Sequence, residues 1–262
     1  MWEEEKQTLL QNAKLRLLQM HFEANAGHLG GNLSCLDIMM TLHHRVMRPE
    51  DRFILSKGHA AGALYVTLWS LGKISDAKLK TFSADDTLLP GHPSGVGIPD
   101  LLFATGSLGH GPSLAAGLAL AAKHKGTNHT VYCLCSDGEW QEGSCWEALT
   151  FAVHNRLDNL VIIIDQNGLQ GYGRTEDIIS CSDLSPRIAA FGAAIERIDG
   201  HDLPAIETGL TLRHAARPLV VIAETVKGKG LYNAGLMESH YLPLTDEQYE
   251  AERARLAGER AR

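Results

Sequence analysis

The chain has 262 residues, 44% of them hydrophobic, enough to bury a substantial core, and no apolar run approaches the 18 residues of a membrane span. A formal charge of −7 with no cluster of Lys or Arg argues against a nucleic-acid surface, so an anionic ligand needs local provision: metal, helix N-termini, backbone amides or histidines. The acidic start lacks a signal-peptide core, and five scattered cysteines (Cys35, Cys133, Cys135, Cys145, Cys181) read as reduced, mostly buried thiols of a cytoplasmic protein.

Apolar periodicity predicts a helix over residues 4–23, with Leu10, Leu17, Leu18 and Phe22 on one face. After the glycine-rich turn at 27–31, Ser34 with Asp37 three residues on reads as a capping box that opens a helix to about Arg45. Residues 52–55 read as a short strand, 58–71 and 75–82 as helices, and 83–105, dense in Pro and Gly, as a long functional loop. The Ala- and Gly-rich helix expected over 108–125 suits close packing, either in the core or against another protein chain.

The segment 131–171 is the most specific. An apolar run at 131–135 leads to Ser136-Asp137-Gly138, a helix follows over 143–155, and a second run at 160–164 leads to Asp165-Gln166-Asn167-Gly168. Two strands joined by a helix lie parallel, which brings Asp137 and Asn167 out side by side at one carboxyl edge. Either pair alone reads as an ordinary turn. Together, a carboxylate and an amide oxygen at that edge suit a hard cation such as Mg²⁺. Ligands of open α/β sheets bind at the same edge.

Further strands are expected at 194–198 and 218–224, with a helix over 204–216 between them. A terminal helix over 245–257 is capped by Thr245 with Gln248. This alternation predicts an α/β fold, a parallel sheet with helices on both faces, as one domain over 1–262 with an N-terminal helical layer at about 1–50.

Of thirteen histidines, His21, His43, His44, His124, His129, His154, His201 and His214 read as solvated residues in helical or surface contexts. Five others, His28, His59, His92, His110 and His240, sit in or near glycine-rich loops. A lone Gly-His pair is usually a turn. Several at successive loop tips can gather at one sheet edge, where imidazole donates to phosphate or sugar oxygens and moves protons.

In this order the motifs resemble the N-terminal, diphosphate-binding module of transketolase. The resemblance runs from about Lys6 to Pro243 and is carried first by Ala26-Gly27-His28, Ser56-Lys57-Gly58-His59-Ala60 and Gly91-His92-Pro93. It continues through Thr105-Gly106-Ser107-Leu108-Gly109-His110-Gly111, Asp137-Gly138, Gln141-Glu142-Gly143, Asn167 and Thr225-Val226-Lys227-Gly228-Lys229-Gly230. Ser136 stands where the family's thiamine-diphosphate signature opens with glycine, and His110 where the family usually has Gln, so His110 is given no role.

The resemblance implies a thiamine-diphosphate-binding fold of the diphosphate type. Asp137 and Asn167 side-chain oxygens and the Leu169 carbonyl would hold Mg²⁺, or another divalent ion such as Ca²⁺ or Mn²⁺. The Gly138 amide, His59 and His240 would contact the diphosphate, and Gly106, Ser107 and Leu108 the aminopyrimidine. His28 and His92 would meet the sugar, where His240 would also move a proton. Glu142 and Glu147 match acids that link the two cofactors across the family's dimer interface, although acids at a helix start also favour its dipole.

In this family a second module wraps the aminopyrimidine. The expectation is therefore a split transketolase, transferring a two-carbon ketol unit from a ketose phosphate to an aldose phosphate. A separate subunit would bear the pyrimidine-binding and C-terminal modules in an α₂β₂ heterotetramer, with no nucleic-acid or membrane partner. Two alternatives remain: a transketolase-type subunit for branched or sulfonated ketose phosphates, and a non-catalytic scaffold.

Overall fold

The apolar runs become five strands, β1 (Arg52–Leu55), β2 (Val131–Ser136), β3 (Leu160–Gln166), β4 (Ala194–Asp199) and β5 (Leu219–Glu224). In this computed structural model, which describes residues 2–98, 100–180 and 183–259, they form one parallel sheet in the order β1-β2-β3-β5-β4. β2, β3 and β5 are almost wholly buried, as strands covered on both faces must be.

Alternate residues of each strand feed two cores. Leu55, Leu134, Ile163 and Val221 pack under helices α1 (Trp2–Glu23), α2 (Leu29–Thr41), α3 (Ala61–Ser70) and, further along the chain, α9 (Leu203–Thr211). Ile54, Cys133, Ile162 and Val220 pack under α5 (Gly111–Lys125), α6 (Gly143–His154) and α8 (Leu184–Ala190). The N-terminal helices thus cover one face of the sheet. On α5 the stripe Ala115, Ala116, Ala119 and Ala122 is buried, while Gly117 on the other side faces open space.

Several boundaries differ from expectation. α2 starts at Leu29, with His28 at its N-cap in the left-handed region (φ 66°) and without a side-chain cap. No capping box forms at Ser34, because both side chains find tertiary partners. The Ser34 hydroxyl donates to Gly31 O and to Asp165, and Asp37 takes Lys14 and His201. α2 runs into a π-turn at Leu42–Val46. The helix at 75–82 shrinks to α4 (Asp76–Leu79), capped by Ser75. The one at 204–216 stops at Thr211, because 214 and 217 bridge antiparallel.

Three short helices, α7 (Thr175–Ile178), α8 and α10 (Glu238–Tyr241), and a 3₁₀ turn at Gly138–Gln141 carry no periodic signal in the sequence. The cap on α11 (Asp246–Glu259) forms as read: Thr245 N donates to Gln248 Oε1 at 3.0 Å and Gln248 N to Thr245 Oγ1 at 3.3 Å.

Three histidines expected in solvent are instead packed against the protein. His21 is 2% exposed, His43 is pressed edge-on against Phe53, and His201 bridges Asp37 and the Val226 amide. Cys35, Cys133, Cys135 and Cys145 are free and buried, while Cys181 lies outside the described residues. Among the described residues, no helix is long and apolar enough to cross a membrane.

Candidate active site

The carboxyl ends of β1, β2, β3 and β5 open into a cavity of about 230 Å³. Beneath its lining residues, as a floor, lies an ion pair buried completely, between Lys57 just beyond β1 and Asp165 on β3. Lys57 Nζ also donates to Gly31 O at 2.9 Å and reaches Ser34 Oγ at 3.4 Å. Asp165 accepts from Ser34 Oγ at 2.5 Å and from Thr225 Oγ1. Burial alone would raise the Asp165 pKa; the Lys57 ammonium outweighs it and holds the carboxyl below its ordinary value. This network ties β1, β3, β5 and the first turn of α2 together, and its charges cancel.

A second buried carboxylate braces the side of the cavity. Glu139, in the 3₁₀ turn after β2, accepts from the Ser56 hydroxyl, from Gly109 N at 2.9 Å and from Ser136 N at 2.9 Å. It thereby joins three of the motif-bearing loops. Gly58 closes the same corner. A Cβ there would stand 2.7 Å from the Gly106 nitrogen, so glycine is what allows the two loops to touch.

Above the floor, register pairs Ser136 with Asp165, so Asp137 and the 167–169 turn emerge together. Asp137 Oδ2 accepts from Gly168 N at 2.7 Å and from Thr175 Oγ1 at 3.2 Å, and Oδ1 from Gly138 N at 2.8 Å. Asn167 Oδ1 accepts from Leu169 N at 3.1 Å, and Leu169 O accepts from Lys227 Nζ at 3.1 Å.

No ion pair reaches Asp137 among the described residues. Burial, then the charge of Asp165, pushes its pKa up to about 6. Burial, then repulsion from Lys57, brings Lys227 down to about 8. A carboxylate without a counter-ion, an amide oxygen and a carbonyl, all hard oxygen donors lining one cavity, fit a divalent ion of the Mg²⁺ class.

Four imidazoles form the opposite wall. The His28 ring lies 4.9 Å from His240 and 5.8 Å from both His59 and His92, and His59 lies 6.0 Å from His240. Burial lowers the pKa of all four; for His240, burial, then Lys227 and His28, bring it to about 3. All four are therefore neutral at physiological pH, able both to donate and to accept. His28 N donates to His240 O at 2.7 Å, which fixes this pair main chain to main chain. His240 Nδ1 and Gln170 Nε2 are buried with no partner in the chain, which is where polar atoms of a ligand are called for.

Of the residues singled out from sequence, His28, His59, His92, Gly106 and Leu108 line the cavity, as do Asp137, Gly138, Asn167, Leu169 and His240. Ser107 does not; it is exposed beside them. Glu142 and Glu147 are exposed on and just before α6, outside the cavity. His110, given no role, is exposed at the N-cap of α5.

Lys57, Asp165 and Lys227 fall inside the motifs, but sequence pattern gives none of them a role of its own, nor any to Glu139 or Tyr241.

The family model described as "Transketolase, thiamine diphosphate binding domain" matches residues 7–261. One subunit of the apulose-4-phosphate transketolase of Phocaeicola vulgatus is 39% identical over 247 residues, covering 90% of this chain and 88% of its own length. The 6-deoxy-6-sulfo-D-fructose transketolase subunit SqwG of a Clostridium species is 36% identical over 247 residues, covering 90% of each chain. Among solved structures, the transketolase from Leishmania mexicana superposes with a TM-score of 0.90 at 25% identity. That match takes in 96% of this chain and 41% of the Leishmania chain, so this chain spans less than half of that enzyme's length.

Proposed function

The chain belongs to the family of transketolase thiamine-diphosphate-binding domains, and from that premise we propose that it is the diphosphate-binding subunit of a two-chain transketolase. The reaction is transfer of a two-carbon ketol unit from a ketose phosphate to an aldose phosphate. The observation that carries this reading is the convergence of Asp137, Asn167 and the Leu169 carbonyl with four neutral imidazoles on one cavity at the sheet's carboxyl edge.

Asp137, Asn167 and Leu169 O hold a divalent ion, the Gly138 amide, His59 and His240 take the diphosphate, and Gly106, Ser107 and Leu108 support the aminopyrimidine. Bound thiamine diphosphate supplies the electron sink that ketol transfer requires. His28 and His92 orient the sugar through its hydroxyls and carbonyl. His240, whose Nδ1 is unpartnered, accepts and returns a proton there.

A second chain completes the site. Relatives of similar length are named as subunits. The partner brings the pyrimidine-binding and C-terminal modules in an α₂β₂ assembly, where Glu142 and Glu147, exposed here, lie at the interface linking the two cofactors. The four buried free thiols suit the cytoplasm.

The test is ketol transfer by the purified chain alone and with its partner, alongside Mg²⁺-dependent thiamine diphosphate binding by the complex. We expect turnover only with both chains, and binding lost in Asp137→Ala. Turnover by the isolated chain, or equal binding by Asp137→Ala, would overturn the reading; equal binding together with absent turnover would favour the scaffold.

A second reading concerns the sugar. The two relatives above are named for apulose-4-phosphate and for 6-deoxy-6-sulfo-D-fructose, which favours a donor of that kind, a branched or sulfonated ketose, over a common pentose phosphate. A steady-state screen of donors with the partner present decides it.

A further inference from the structure

Among the side chains lining the cavity that the ligand roles above leave unused, one is an aromatic ring fixed in place. Tyr241 follows His240 directly, lines the cavity and is 52% exposed. Its ring stands edge-on to His240 at 4.5 Å and lies 6.5 Å from His28, beside two of the three histidines placed at the sugar.

Tyr241 is held both at its side chain and at its main chain. Its hydroxyl donates to Gly171 O at 2.8 Å, at the tip of the small hairpin that the Leu169–Arg174 bridge closes. Its own carbonyl lies against Gly27, where an added Cβ would come within 2.8 Å of it. A Cβ on Gly171 would fall on the Tyr241 hydroxyl. Glycine at both positions lets the tyrosine reach across from α10 and clamp two loops.

We propose that Tyr241 is a specificity-determining residue for the ketose, an assignment that rests on the functional reading above. The surrounding imidazoles offer hydrogen bonds to hydroxyls and a carbonyl. Tyr241 adds what they lack, a fixed apolar surface without charge whose donor hydrogen is already committed to Gly171. Such a surface fits the C–H face of the uncharged polyol part of the donor, and it has nothing to offer a phosphate or sulfonate. The charged end of the sugar therefore points away from Tyr241. The ring discriminates donors by length and branching next to the two carbons transferred.

Steady-state kinetics of the two-chain complex over a panel of ketose phosphates differing in length and branching tests this. Tyr241→Ala raises donor KM about ten-fold and narrows the spread of kcat/KM across the panel. Its Mg²⁺-dependent affinity for thiamine diphosphate stays within about two-fold of the original. Tyr241→Phe keeps the ring but loses the tether, and shifts donor KM about three-fold.

Gly171→Ala displaces the hydroxyl and raises donor KM by itself; adding Tyr241→Phe brings KM back to the Tyr241→Phe value. An unchanged panel in Tyr241→Ala, or cofactor affinity falling as far as donor KM, overturns the assignment while leaving the functional reading intact. A wild-type complex that transfers from no ketose defeats the functional reading, and this assignment with it.

Discussion

Two buried carboxylates stand at the end of the same strand pair, and they are treated in opposite ways. Asp165 meets Lys57, Ser34 and Thr225, and its charge is fully answered within the protein. Asp137, equally hidden, meets only backbone amides and one hydroxyl, and its pKa rises accordingly. The first arrangement closes a fold. The second leaves a charge to be answered from outside, as a site for a cation and its anionic partner must. A buried acid is thus informative through its counter-ion, or the want of one, more than through its burial.

The contrast breaks most readily at the floor. Lys57→Met strands Asp165 without its partner and is expected to cost about 3–5 kcal/mol in unfolding free energy, read from urea titrations. Replacing both residues with an apolar pair recovers much of that loss. If Lys57→Met unfolds within about 1 kcal/mol of the original chain, the floor is no closed pair.

A pH titration of stability gives the next largest effect. Burial holds His21 and His43 at about 4, below the 6.5 of an unfolded histidine. The unfolded chain therefore takes up protons first. Stability is complete above pH 6.5 and declines as pH falls from 6.5 toward 4, by roughly 3 kcal/mol per histidine. His21→Gln should flatten that decline by about half; an unaltered slope would place the loss elsewhere.

The smallest effect is a near-cancellation and sharpens the contrast. Asp137→Asn removes an unanswered charge but turns an amide NH2 toward one of the two backbone N–H donors, so without metal the variant should stay within about 1 kcal/mol of the original at about pH 8, even as cofactor binding fails. A loss of about 3 kcal/mol or more, of the kind expected for Lys57→Met, would show that Asp137 belongs to the scaffold instead.

The central strands and the meeting of Asp137 with Asn167 are legible in the sequence because they depend on local pattern: two apolar runs of strand length, a helix between them, and a polar turn after each. The loop histidines are legible as a group for a similar reason, since most of them adjoin glycine in loops near strand ends. The floor is not. Lys57 and Asp165 are 108 positions apart, and nothing in either local run says that they pair.

Ser34 misleads for a related reason. Its spacing to Asp37 imitates a helix cap, but its hydroxyl is claimed by Asp165 from a distant strand. Glu139 sits between Asp137 and Glu142 in an acidic stretch, and only the fold separates the buried brace from its exposed neighbour. Tyr241 is masked by adjacency, since the imidazole before it is the more obvious reactive group.

The link from His28 N to His240 O has a consequence for synthesis. The two residues lie far apart in sequence, so the left-handed turn at His28 gets its main-chain partner only after residue 240 has left the ribosome. Long-range closure of this kind comes late in folding. In a nascent chain the strand β5 and this closure therefore come in quick succession, so the sheet and the mouth of its cavity are completed almost together.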